Sequence, residues 1–249
     1  MMFGMDALSL NVRRSRRPGR LGAVVLEEIA HGIISGAYPE GAVLPREPVL
    51  CEEFGFSRTV IREGLKLLEE RGLVRVEQGR GTTVQPRASW NVLDPVVIRI
   101  ALDYDADMTL LDNLIAVRRV LEREMARAAA VRIGTEELAE LARTIDEMGA
   151  SYDDYERFRQ ADLAFHAIVM KASGNEVGLT IVRTIHLHAG TMPQLAGAAS
   201  RAALERTTSE HRSIYDALTA RDAELAGERI AAHIDFAWAE RKEQQPDST

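Results

Sequence analysis

Residues 46–86 constrain the fold most, because two short amphipathic helices, a tight turn and an alternating hairpin follow one another there without a break. LPREPVLCEEF predicts a helix starting near Arg46. Pro48 is tolerated only in its first turn, where a missing N–H costs nothing. Gly55 stops this helix, and Ser57 stands as N-cap of a second, RTVIREGLKLLEERG. Ile61, Leu65 and Leu68 form the second helix's apolar stripe, and Gly72 ends it. LVRVE then alternates as a strand does, QGRG turns, and TTVQP runs as a second strand up to a proline. An earlier helix over 21–34, with Val25, Ile29 and Ile33 on one side, is broken by SGAYPEG. Two helices joined by a tight turn and closed by a hairpin predict a winged helix-turn-helix over 18–86.

The other face of the second helix carries the chemistry. Arg58, Thr59, Arg62 and Lys66 fall on one side of it. The residues nearest its N-terminus are those that reach base edges when such a helix enters a major groove. An arginine fork matches O6 and N7 of guanine. Glu63, Glu69 and Glu70 share the helix, so by itself it also reads as an ordinary charged face. The hairpin decides for DNA: Gly79 and Gly81 let the backbone come close to a sugar-phosphate chain, and Arg80 sits at the tip. The charge distribution agrees. The net charge is −7, yet thirteen Lys and Arg face eleven Asp and Glu up to Trp90, against eighteen and twenty-seven beyond it. The acid is thus confined to the second part, and the first is free to approach phosphate. Arg13, Arg14, Arg16 and Arg17 make residues 1–17 a basic, disordered arm, either solvated or, with Arg20, in contact with DNA.

Beyond a linker and linker helix over 87–103, no strand pattern remains. Helical stripes are expected at 95–102, 109–131, 136–149, 152–171, 175–189, 202–220 and 223–240, giving an all-helical domain over 104–244. The chain is therefore expected to be mainly α. No apolar run is long enough to span a membrane, and the N-terminal charges follow the apolar residues rather than precede them. With a single cysteine, Cys51, the sequence points to the cytoplasm and to no membrane partner.

Four potential metal ligands stand out in the helical part. Asp162 and His166, four apart, share one helix face. His211 and His233 lie at similar distances on either side of a turn near Arg221, so antiparallel helices bring them to one height. A carboxylate and three imidazoles suit a divalent ion (zinc first; nickel, manganese or iron also) and leave positions for water or a ligand oxygen. On spacing alone, hydrogen-bonded histidines of a bundle core or surface are the more common case. His186 and His188, two apart on a helix, cannot both face inward.

GAYPEGAVLPREPVLCEEFGFSRTVIREGLKLLEERGLV, residues 36–74, followed by GRGTTV, resembles the GntR family of winged-helix regulators. The resemblance implies that Arg58, Thr59 and Arg62 contact operator DNA in the major groove, and Gln78 and Gly79 in the minor groove. The family's usual Leu-Pro-Ser-Glu-Arg reads LPREP, so Pro48 stands where an arginine often contacts DNA, with Arg46 as a possible substitute. VRRVLE at 117–122, DLAFH at 162–166, SGN at 173–175, EHRSIYDAL from 210 and AHI from 232 resemble the FCD ligand-binding domain of the FadR subfamily. This implies that Asp162, His166, His211 and His233 hold the metal. It also implies that Arg118 pairs with an acidic effector; an i,i+4 bridge to Glu122 is its other reading. Asn175 is a candidate effector contact, with a helix cap the favoured reading. The SWNVLDP linker is similar to that of regulators of sugar-acid catabolism. The expected protein is a homodimeric repressor, not an enzyme, whose grip on double-stranded operator DNA a small carboxylate, such as a sugar acid, controls. The alternatives are a metal-dependent hydrolase or lyase with a DNA-binding head, and a regulator that responds to the metal itself.

Overall fold

The computed structural model describes residues 18–189 and 200–243. Arg13, Arg14, Arg16 and Arg17 lie outside the described residues. The chain is mainly helical and divides into two compact units, the first ending at Tyr104 and the second beginning at Asp105.

The first unit runs α1 (Pro18–Ile34), α2 (Glu47–Phe54), α3 (Arg58–Glu70), β1 (Val74–Glu77), β2 (Gly81–Val84), a short 3-10 turn and α4 (Pro95–Asp103). α1 lies so close to α3 that a Cβ on Gly64 would come within 2.4 Å of Val25. Ile61, Leu65 and Leu68 are buried as their spacing requires, together with Val60 and Gly64. Pro48 sits in the first turn of α2, and Gly55 ends that helix at φ 67°. Ser57 holds the N-cap position of α3 in extended backbone, but its hydroxyl makes no capping hydrogen bond, contrary to its expected role. Gly72 takes φ 71° directly beneath the Ser89 carbonyl, where no side chain fits. The hairpin is antiparallel, from Val74 opposite Val84 to Glu77 opposite Gly81. α4 belongs to this unit's core: Val97 and Ile100 join the cluster built on Ile29, Leu50 and Leu68. Asp94 caps α4 through Val96 and Val97 and pairs with Arg71 at 3.0 Å.

The second unit comprises α5 (Thr109–Arg132), α6 (Thr135–Gly149), α7 (Tyr155–Ala172), α8 (Glu176–Ala189), α9 (Arg201–Thr219) and α10 (Ala223–Glu243). α5 packs along α10, α7 and α8, and α9 along α6 and α10. α7 begins three residues later than its apolar pattern suggests, because Asp154 caps it through the Arg157 N–H at 3.1 Å. Phe165, Val169, Ile185, Ile214 and Ile230 are all fully buried around the cluster described next. Among the described residues, no helix is long and apolar enough to cross a membrane.

Candidate functional site

α7 supplies Asp162 and His166, α9 supplies His211 and α10 supplies His233. Each offers one ligand atom, and these atoms all lie within 4.8 Å of one another. His211 Nε2 stands 3.3 Å from Asp162 Oδ1, and His166 Nε2 stands 4.0 Å from it. The three imidazoles are buried, and the carboxylate is partly open to solvent. The expected set of four is therefore brought together.

What lies behind the imidazoles sets their chemistry. The Nδ1 of His166 meets Glu122 Oε2 at 2.5 Å. That of His211 meets the Thr207 carbonyl at 2.8 Å, and that of His233 meets Glu210 Oε2 at 3.0 Å. Each acceptor places the ring proton on Nδ1 and leaves the Nε2 lone pair free. His211 Nε2 is buried without a hydrogen-bond partner. A buried, unsatisfied lone pair costs free energy unless something binds it. That nitrogen converges with the Nε2 atoms of His166 and His233 beside a carboxylate, an arrangement that fits a divalent cation. The charge states agree. Burial, then the neighbouring His233, pulls His211 down to about 3. Burial, then His166, pulls His233 down to about 3. Both rings are thus neutral near pH 7. Burial raises the Asp162 carboxyl, but the surrounding histidines and Arg118 outweigh it and hold it below its usual range.

Glu122 is the residue that sequence reasoning treated only as a partner of Arg118. It is completely buried. Its carboxylate accepts from Arg118 Nε at 2.5 Å, His166 Nδ1 at 2.5 Å and His186 Nε2 at 3.1 Å. Burial raises its carboxyl, yet Arg118, His166 and His186 together hold it well below the ordinary carboxylate range. Of the two histidines on α8, His186 is thus the inward one; the side chain of His188 lies outside the described residues. Arg118 does make the i,i+4 bridge, and its Nη2 also stands 3.4 Å from His166 Nε2.

Next to the cluster lies a cavity of roughly 90 Å³, lined by Arg118, Asp162, His233, Arg159, Trp238 and Arg241 among others. Arg159 is paired with Glu156, whereas Arg241 makes no ion pair among the described residues. Asn175 does not line this cavity. Its carboxamide accepts from Gly178 N–H at 2.9 Å and caps α8, the favoured of its two readings.

In the first unit, Arg46, Arg58, Thr59, Arg62, Lys66, Gln78, Gly79 and Arg80 are all exposed. Gly79 and Gly81 turn the hairpin at φ 80° and 98°. Lys66 is tied to Glu70 at 3.6 Å, and Arg62 to Glu47 at 2.9 Å.

A helix-turn-helix closed by a two-stranded wing, followed by an all-helical unit, defines a DNA-binding transcription regulator. Residues 21–84 match the family model described as bacterial regulatory proteins, gntR family, and residues 113–236 match the FCD domain. The galactonate operon transcriptional repressor of Escherichia coli K12 is 33% identical over 78% of this chain and 85% of its own length. The Glc operon transcriptional activator of the same strain is 37% identical over 67% and 65%. The chain belongs to the GntR family, in the group that carries an FCD domain. A solved structure described as Lar, which controls the Listeria monocytogenes agr system, shares the fold at TM-score 0.60 and 19% identity, over 94% of this chain and all of that one. Family and relatives are transcription regulators, not enzymes, which sets the hydrolase and lyase readings aside.

Proposed function

We propose that this regulator is a metal-assisted, effector-gated repressor whose ligand is a small organic acid. One observation carries the reading: three imidazoles, each with Nδ1 already engaged, turn their Nε2 atoms toward Asp162 beside a cavity lined by Arg118. Asp162, His166, His211 and His233 would hold the ion; zinc is the first choice for this donor set, with nickel, manganese or iron next. Once bound, it would supply Lewis-acid attraction for a carboxylate oxygen. Arg118 has Nε committed to Glu122 and Nη2 3.4 Å from His166 Nε2, and its remaining outer N–H groups would meet the acid. Arg159 and Arg241 add cationic character to the cavity wall, and Trp238 adds an aromatic one. The relative named for the galactonate operon supports a sugar acid such as an aldonate.

In this reading residues 18–86 bind double-stranded operator DNA, 87–103 connect, and 104–244 sense the acid, in the cytoplasm. Arg58, Thr59, Arg62 and Lys66 enter the major groove, the wing residues Gln78, Gly79 and Arg80 meet the minor groove, and Arg46 assists. The working form is a homodimer, since two recognition helices must meet two half-sites about one helical turn apart. The acid acts by favouring one arrangement of the two heads, and only as far as its affinities for the two arrangements differ. The test is a thermal-shift screen of aldonates and short hydroxy acids, with and without chelator. An acid that stabilises the protein only with metal present, and that loosens operator binding, supports the reading. Stabilisation by no acid refutes it.

A further inference from the structure

We propose that Glu47 is a positioning residue that aims Arg62 at a base edge. The two side chains come from different helices, Glu47 from the first turn of α2 and Arg62 from the exposed face of α3. Arg62 Nε donates to both carboxylate oxygens of Glu47, at 2.9 Å each. That occupies the only Nε–H of the guanidinium and ties its inner end to α2. Nη1 and Nη2, which make no hydrogen bond among the described residues, are left available as a fork. A fork of this kind matches guanine O6 and N7.

Stability does not account for the pair. The Arg62 side chain is 69% exposed and that of Glu47 is 32% exposed. Exposed ion pairs contribute about 0–1 kcal/mol at most. A carboxylate beside the recognition helix also repels phosphate and so lowers non-specific affinity. What the pair does provide is order. A free arginine spreads over many rotamers, and a tethered one has lost that freedom before DNA arrives. The need is greater in this chain because Pro48 occupies the α2 position where the family often carries an arginine. Recognition therefore leans on α3.

The proposal rests on Arg62 meeting the operator, and the experiment separates the two. The full-length protein selects duplexes from a randomised pool. Fluorescence anisotropy then measures the best duplex, each single-base variant and a scrambled duplex for wild type, Glu47→Ala, Glu47→Gln, Arg62→Ala and the Glu47→Ala/Arg62→Ala double variant. With Glu47→Ala, affinity for scrambled DNA holds or rises, while preference at the base pair read by Arg62 falls about tenfold. Glu47→Gln keeps part of that preference, because its carboxamide oxygen still accepts from Nε. The double variant is no worse than Arg62→Ala alone. If Glu47→Ala changes best and scrambled duplexes by the same factor, or if the two single losses multiply, the positioning role is overturned. If Arg62→Ala alters no base preference, the base contact itself fails, and the proposal with it.

Discussion

Replacing Glu122 with glutamine exchanges one oxygen for an amino group in a fully buried site. The wild-type carboxylate accepts from three nitrogens, on Arg118, His166 and His186. Glutamine keeps one acceptor oxygen and offers two N–H donors in place of the other. Kept where Arg118 and His186 converge on Oε1, that oxygen leaves the amino group facing His166 Nδ1, donor against donor. His166 relieves the clash by moving its proton to Nε2, which then presents N–H to the cluster instead of a lone pair. Loss of such an outer partner costs about 10–100-fold in metal affinity, or about 1.4–2.7 kcal/mol. The fold loses a buried ionic partner as well. Because Arg118 keeps a carbonyl acceptor and 14% of its side-chain exposure, this stays at the lower end of the range for broken buried pairs, about 3 kcal/mol. The assay is a zinc titration against a chromophoric chelator, with urea unfolding of the metal-free protein alongside. Glu122→Asp, which keeps the charge, falls between the two. Zinc affinity within twofold of wild type in a folded Glu122→Gln protein would refute the tautomer argument.

Asp162→Asn removes the cluster's only carboxylate ligand, so the stabilisation expected from saturating zinc, about 2.7 kcal/mol at a hundredfold excess over Kd, disappears; a full thermal shift in the variant counts against the site. Arg118→Ala abolishes acid-induced release from operator DNA in gel-shift assays while basal binding persists, and release by the same acid at the same concentration contradicts the role given to Arg118. Gly72→Ala places a Cβ 2.0 Å from the Ser89 carbonyl oxygen at φ 71°, so urea unfolding shows a loss of about 2 kcal/mol or more; an unchanged midpoint disproves the close approach. Acid weakens the metal-free protein. His186 titrates near 4 and His211 and His233 near 3, against 6.5 in the unfolded chain, so below 6.5 the unfolded state takes up protons that the folded state refuses. Stability is greatest above pH 6.5 and falls with pH by up to about 1.4 kcal/mol per unit for each group; a urea midpoint flat from pH 7.5 to 5 contradicts this.

The winged helix was legible because its boundaries are chemical: Gly55, Gly72, Gly79 and Gly81 all take positive φ where the sequence places breaks. The four candidate ligands were legible for a similar reason, since a one-turn spacing and a turn near Arg221 fix relative heights on helices. Glu122 was not, because a carboxylate four residues after an arginine reads as a surface ion pair. Its burial depends on α7 and α8 crossing α5, and no local pattern contains that. A clue did exist, as Leu111, Leu114, Ile115, Glu122, Met125 and Ala129 form one buried stripe. The roles of Thr207 and Glu210 had no comparable signal. One acts through a backbone carbonyl, and the other through a carboxylate that reaches from α9 to α10. Ser57 shows the reverse error: a residue suited to capping, in the right place, with its hydroxyl unused.

Glu122, His166, His186, His211 and His233 sit on α5, α7, α8, α9 and α10, so the polar centre draws on five helices. With one cysteine, the chain has no way to staple itself through an internal disulfide. An ion at this point would serve as a reversible knot, joining segments that are far apart in sequence and that meet only once the bundle has formed. Its binding energy would then be folding energy. Withdrawing it would slacken the whole helical unit rather than empty one pocket, so the supply of metal would set how stiff that unit is.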